Sequence, residues 1–348
     1  MTFARLADGP ARAVAGAVAG SADGLVAPTS GSTGAPRDVL LPRRAIVASA
    51  QATLERLGGG GHWLLALPDS RIAGAMVRAR ALIADAHLAV MPDGPFTSDG
   101  FATAAAGMPP GPRYVSLVPT QVRRLLADPR GADALAGFDA VLVGGAPPGM
   151  ALPPNAVETY GMTETCGGCV YDGTPLPGTK VAVGGDGRIR LGGPTLAAGY
   201  ADGDDRAFET RDDERWFLTS DLGSWDGAAL AVHGRADDVI ITGGLNVHPT
   251  AVERALLASP EIADAVVTSV PDREWGERVA ALVVLAREGA TGATADAAGQ
   301  VAGAAQGLGA HERPRFVLAV DAIPRTAAGK IDRSAARAIA ASAAKEAP

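Results

Sequence analysis

Positive charge and cysteine are scarce in this chain. Against 38 acidic residues stand 31 Lys and Arg, a net charge of −7, which argues against nucleic acid as a main partner. Anions must therefore be held by local arginines, lysines and backbone N–H groups. The two cysteines, Cys166 and Cys169, form a single C-x-x-C. Without a second pair or a nearby histidine they read as small residues in a pocket wall sooner than as a zinc or redox site. No apolar run approaches the length of a membrane span, so no membrane partner is expected. The Ala-rich first twenty residues are broken by Arg5, Asp8, Pro10 and Arg12, which leaves no clean signal-peptide core and makes a cytoplasmic enzyme the expectation. There is no internal repeat and no low-complexity linker.

What is present is a chain of 348 residues, long enough for two domains and for a core that needs no disulfide or metal. Its 45 glycines and 25 prolines punctuate apolar runs. Through the first two-thirds, short apolar strands alternate with helical segments, the pattern of an α/β protein. Strands are expected at 62–67, 87–91, 114–118 and 140–143, and helices at 72–84 and 121–127. Beyond residue 175 the pattern changes. The apolar run 181–183 and the alternating stretch 188–191 flank Gly185-Asp186-Gly187, and Asp226-Gly227 separates Leu218 from 230–232, hairpin signals that predict an appended antiparallel β region. A third composition follows, with helices at 249–258 and 295–307 and strands at 265–270, 279–285 and 316–320. It reads as a separate α+β domain. The expected division is 1–236 and 237–348.

Five segments carry candidate chemistry. Thr29-Ser30-Gly31-Ser32-Thr33-Gly34-Ala35-Pro36-Arg37 packs hydroxyls and glycines densely enough to wrap phosphate oxygens, although it lacks the Gly-Lys-Ser/Thr of a Walker loop. Alone, such a turn is more often a flexible loop. Tyr160-Gly161-Met162-Thr163-Glu164-Thr165 sets a carboxylate beside hydroxyls, which suits Mg²⁺ bound together with substrate phosphates and equally suits an exposed loop. Asp221 in Thr219-Ser220-Asp221 is placed to accept two ribose hydroxyls, or to close an Asx turn. Gly234-Arg235-Ala236-Asp237-Asp238 leads into Gly243-Gly244, and Pro324-Arg325-Thr326-Ala327-Ala328-Gly329-Lys330-Ile331 carries a lysine on a Gly-containing turn.

In order and spacing these segments resemble the adenylate-forming superfamily of acyl- and aryl-CoA synthetases, peptide-synthetase adenylation domains and luciferases. The resemblance spans nearly the whole chain. It implies a large N-terminal α/β domain with an antiparallel β region and a small mobile C-terminal α+β domain. ATP, Mg²⁺ and coenzyme A are the implied co-substrates and cofactor, a small carboxylic acid is the substrate, and a homodimer is compatible with the family. By the same resemblance Ser30, Gly31, Ser32, Thr33 and Gly34 bind the β- and γ-phosphates, with Arg37 ending that loop. Gly144, Gly145 and Ala146 pack against adenine, and Tyr160, Gly161 and Met162 line the nucleotide. Thr163 contacts phosphate and Glu164 holds the metal, while Asp221 and Arg235 hold the ribose. Lys330 bridges the acid and the α-phosphate, and Asp237 is the hinge about which the small domain turns to bring Gly243 and Gly244 to the pantetheine arm.

Short members are typical of the o-succinylbenzoate–CoA ligase branch, which serves menaquinone biosynthesis. Trp63-Leu64-Leu65-Ala66-Leu67-Pro68, Ile72-Ala73-Gly74, Ser116-Leu117-Val118-Pro119-Thr120-Gln121 and the stretch after Thr165 look like that branch. Its substrate is a dicarboxylate, so the unreactive carboxylate wants a cation. Arg80 is the candidate, with Arg78 and Arg71 as alternates, although a helix arginine is more often a solvated surface residue. Two positions depart from the pattern: Arg37 stands where the family usually has Lys, and Arg71 where the branch usually has His. A CoA ligase for another aryl or short acyl acid, an adenylation domain loading a carrier protein, and a degenerate adenylate binder are the competing readings.

Overall fold

Residues 140–143, Ala-Val-Leu-Val, are buried throughout, as a parallel strand covered on both faces must be. The computed structural model describes residues 2–29, 36–146, 149–286, 294–326 and 331–346. Strand Ala140–Gly144 lies in a seven-stranded sheet ordered Thr174–Pro175, Gly167–Tyr171, Ala156–Met162, Ala140–Gly144, Arg113–Leu117, His62–Leu65 and Leu88–Val90. The five strands from Ala156–Met162 to Leu88–Val90 pair in parallel, and Gly167–Tyr171 returns antiparallel. Parallel neighbours require crossovers; the helices Ile72–Ile83, Ser98–Ala106, Pro119–Leu126 and Pro129–Ala136 alternate with these strands along the chain. Pro119 occupies the first helical position, where its missing N–H costs nothing. Gln121 reaches back to accept from the Val118 N–H at 3.0 Å and donates to the Ala66 carbonyl at 2.9 Å. At Gly74 a Cβ would stand 2.4 Å from the Pro68 carbonyl oxygen, so this helix approaches the preceding turn only because the residue is glycine.

A second sheet sets Gly24–Pro28 between Phe3–Arg5 and Asp38–Pro42, and Gly199–Tyr200 pairs with the latter. A third is the expected antiparallel region, ordered Lys180–Val183, Arg188–Gly192, Glu214–Trp225 and Phe208–Arg211. Its first hairpin turns at Gly187, whose φ of +76° favours glycine. These sheets form one unit, Met1–Pro148, Leu152–Thr219 and Ser224–Ala231. The other unit comprises Gly149–Ala151, Ser220–Gly223 and Val232–Pro348. It begins at 232, not 237, and takes in two short pieces earlier in the chain, Asp221 among them.

In the second unit, Ile262–Asp272 and Gly276–Leu285 form an antiparallel ladder, with Phe316–Ala319 parallel to the latter. Alternation of side chains across the sheet explains the continuous apolar run at 279–285. Val279, Ala281 and Val283 pack with Val252, Leu256 and Val301 of two helices, whereas Ala280 and Leu282 pack with Ala336 and Ala340 of a third. That third helix, Arg333–Glu346, is anchored by charge. Arg333 Nη1 and Nη2 donate to the Glu253 carboxylate at 2.8 and 3.0 Å, and Arg333 also pairs with Asp238 at 3.0 Å. The Glu253 side chain is 8% exposed. Arg333→Ala leaves that buried carboxylate with the Val267 N–H but without its cation, and is expected to destabilise the unit by about 3–5 kcal/mol. The measurement is amide hydrogen exchange in Ile262–Asp272 and Gly276–Leu285, where unchanged protection would contradict the role. Among the described residues no helix is long and apolar enough to cross a membrane.

Candidate functional site

In the first unit the parallel strands end where the expected nucleotide residues begin. Ala140–Gly144 runs out into Gly145, at φ +85°. Strand Ala156–Met162 lies beside it and carries Tyr160, Gly161 and Met162. At Gly161 an added Cβ would sit 2.1 Å from the Gly167 carbonyl oxygen, so glycine lets the two antiparallel strands close here. The chain then coils into a single 3-10 turn, Thr163–Thr165. Thr165 accepts from the Met162 N–H at 3.0 Å and donates to the Gly167 carbonyl at 2.8 Å, and Cys166 follows at φ +53°. Thr163 and Glu164 are both buried, and the Glu164 carboxylate accepts a hydrogen bond from the Tyr200 hydroxyl at 2.8 Å.

This donor set can be tested against Mg²⁺. A carboxylate and a hydroxyl on adjacent residues are hard oxygen donors, few in number, which suits an ion whose remaining ligands are water and substrate phosphates. Among the described residues there is no group of three or more His, Cys, Asp or Glu able to hold a metal alone. The residues fit Mg²⁺ carried with a nucleotide and do not form a resident cage. The two cysteines are free and fully buried, and burial pushes the Cys169 thiol up to about 12. They are neutral, buried thiols, with Cys166 packed in the hydrophobic core.

The three candidate arginines meet different fates. Arg78 is committed to Asp69, at 2.6 Å. Arg71 occupies the N-cap position of the Ile72–Ile83 helix, and its side chain donates to the Thr29 carbonyl at 3.0 Å. Arg80 is 4% exposed, its Nε has no hydrogen-bond partner, and its guanidinium lies 5.3 Å from the centroid of the Trp63 ring. Burial lowers its affinity for a proton. Arg37 turns to the 200–205 loop, its Nε and Nη2 donating to Asp202 at 2.9 and 2.7 Å, and Nη2 also to the Asp204 carbonyl. Ser30, Gly31, Ser32, Thr33, Gly34 and Lys330 lie outside the described residues.

In the second unit Arg235 pairs with Asp221 at 3.9 Å and with Asp237 at 3.1 Å. Gly243 and Gly244, at φ +56° and +79°, make the two-residue turn of a hairpin between Ile240–Thr242 and Leu245–Val247. Gly243 donates to the Trp275 carbonyl, and a Cβ on it would stand 2.5 Å from the Trp275 ring. Beside this turn a cleft of about 270 Å³ is lined by Leu245, Trp275, His311, Arg313 and Arg315. Sequence reading passed over Trp275 and Tyr200. No motif marks either residue, and each declares itself only through what it touches.

Comparison with known proteins follows this division. Residues 25–201 match the AMP-binding enzyme family and residues 251–330 the AMP-binding enzyme C-terminal domain. A probable 2-succinylbenzoate–CoA ligase of Mycobacterium tuberculosis is 41% identical over 322 residues, covering 89% of this chain and 83% of the relative. The 2-succinylbenzoate–CoA ligase of Salmonella typhimurium is 34% identical over 277 residues, 75% of this chain and 58% of the relative's length. The o-succinylbenzoate CoA synthetase of Bacillus subtilis, in complex with its acyl-adenylate intermediate, superposes with a TM-score of 0.72 at 26% identity, covering 89% of this chain and 68% of that one. The same protein with ATP and magnesium ion gives 0.69 at 25% identity, covering 89% and 69%. With both family regions matched in order, and a relative sharing two residues in five across most of its length, the chain belongs to the AMP-binding enzyme family.

Proposed function

We propose that this chain is an ATP-dependent acid–CoA ligase whose acid is o-succinylbenzoate, acting in menaquinone biosynthesis. The observation that carries the choice of acid is Arg80, a buried guanidinium with no carboxylate described against it. A buried charge is costly until paired, and the unreactive carboxylate of a dicarboxylic acid is the partner it lacks. The likeness to 2-succinylbenzoate–CoA ligases supports the same choice.

The reaction has two halves. The substrate carboxylate attacks the α-phosphorus of ATP, giving acyl-AMP and pyrophosphate, chemistry that needs alignment and charge neutralisation more than covalent help. Ser30, Gly31, Ser32, Thr33 and Gly34 cradle the terminal phosphates, Thr163 donates to phosphate, and Glu164 holds Mg²⁺, which offsets phosphate charge when bound. Gly144, Gly145 and Ala146 take the adenine face, Asp221 and Arg235 the ribose, and Lys330 the α-phosphate. In the second half the CoA thiol attacks the acyl carbon and AMP leaves. Gly243 and Gly244 line the pantetheine arm, with Asp237 as hinge. The cations Arg313 and Arg315 beside Trp275 suit the phosphates and adenine of CoA. ATP and CoA are cytoplasmic metabolites, and we place the enzyme there.

Incubation with ATP, Mg²⁺, CoA and a panel of acids, read by mass spectrometry of the thioesters, tests this. A preference for o-succinylbenzoate over benzoates and over short and long fatty acids is expected. Another acid winning would keep the mechanism and discard the pathway. ATP binding with no thioester from any acid would remove the activity.

A further inference from the structure

Glu164 is not held by its own turn alone. The chain at 197–200 is stitched to it twice, by the Ala197 N–H to the Glu164 carbonyl at 2.9 Å and by the Tyr200 hydroxyl to the Glu164 carboxylate at 2.8 Å. Tyr200 is itself fixed on several sides. It pairs in strand register with Val39, its N–H donates to Asp205 at 2.8 Å, and its ring meets Phe208 edge-on at 5.7 Å. The Arg37 guanidinium lies 3.5 Å from the ring centroid. Arg37 also closes the stem of the Ser/Thr/Gly loop, since Thr29 and Arg37 exchange hydrogen bonds of 2.8 and 2.9 Å. One tyrosine therefore links the end of the phosphate-loop stem to the carboxylate.

We propose that Tyr200 is a positioning residue that aims the Glu164 carboxylate at the metal–nucleotide, with Arg37, braced on Asp202, clamping its ring. This rests on Glu164 as the Mg²⁺ carboxylate. The phenol hydroxyl occupies one carboxylate oxygen and limits rotation of the group, leaving its remaining lone pairs for the ion. Hydrogen-bond partners of metal-binding groups act in this way, and their loss typically weakens the metal about 10–100-fold. The clamp also accounts for arginine where the family usually has lysine. A planar guanidinium stacks its face on a ring while its edge forks onto a carboxylate, and an ammonium cannot do both.

Tyr200→Phe removes the hydroxyl and keeps the ring. The Mg²⁺ concentration for half-maximal adenylation of o-succinylbenzoate is expected to rise about 10–100-fold, with kcat recovered at saturating Mg²⁺ and KM for the acid unchanged. Binding of Mn²⁺ with a non-hydrolysable ATP analogue, followed by electron paramagnetic resonance, should weaken by the same factor, while metal-free analogue binding holds. Arg37→Lys should shift both readouts in the same direction by less. Normal metal dependence in Tyr200→Phe, or a kcat deficit that Mg²⁺ cannot recover, overturns the proposal. Glu164→Gln separates the two readings. If it weakens Mn²⁺ and Tyr200→Phe does not, only the tyrosine's role falls; if it leaves Mn²⁺ binding intact, the metal role of Glu164 falls and the proposal with it.

Discussion

Lys330→Ala is expected to lower adenylation, measured as acid-dependent exchange of pyrophosphate into ATP, by about 10²–10³-fold. Thioester formation from supplied acyl-AMP and CoA should be largely spared. In the first half-reaction negative charge gathers on the oxygens of the reacting phosphorus. A compact ammonium beside them stabilises the transition state more than the ground state. In the second half the new bond forms at the acyl carbon, and the lysine has no comparable task. Lys330 lies outside the described residues, but both flanks of its segment are anchored. Arg325 donates to Asp264 at 2.6 Å and bridges to Ile331, and Arg333 is held by Glu253 and Asp238. Equal losses in the two half-reactions would remove Lys330 from this role.

How far the fold was legible depends on which physical signal each element carries. The stretches at 140–143 and 279–283 are buried on both faces and read as unbroken apolar runs. The hairpin at Gly187 announces itself because a positive φ selects glycine. The helix Pro10–Ala19 was hidden. Its buried face is Ala13, Val14 and Ala17, and alanine on both faces leaves little amphipathic contrast, so the stretch reads only as a failed leader. Arg333–Glu346 is Ala-rich for the same reason, and its helix buries Ala336 and Ala340.

The candidate site shows the same division. Gly161 and Gly243 were legible because close backbone or ring approach excludes any Cβ, leaving glycine in the sequence. Glu164 stands on a 3-10 turn and Asp221 within the strand Glu214–Trp225, and both were legible because their residue types suit the expected chemistry. The sequence could not say which arginine of 71, 78 and 80 is buried. That depends on Asp69 neutralising Arg78 and on the helix rotation that turns Arg80 toward Trp63. Nor could it show that Tyr200, far along the chain from residue 164, closes on that carboxylate.

Arg80→Met should separate stability from function in opposite directions. Removing one partner of a buried, hydrogen-bonded charge pair costs roughly 2–5 kcal/mol, so KM for o-succinylbenzoate should rise about thirtyfold or more. Acids with a single carboxylate should be used as well as before or better, since they bring nothing to pair with the guanidinium. Without substrate the sign reverses. The wild-type protein carries a buried cation whose Nε is unpartnered, and its desolvation opposes folding. Methionine fills similar volume without that cost, so the ligand-free variant should be more stable by about 1–2 kcal/mol, read as a higher melting temperature. Added o-succinylbenzoate should raise the melting temperature of the wild type and leave that of the variant unmoved. A variant that is less stable and keeps its KM would make Arg80 a structural partner of Trp63 alone, and the buried cation would cease to argue for a dicarboxylic acid.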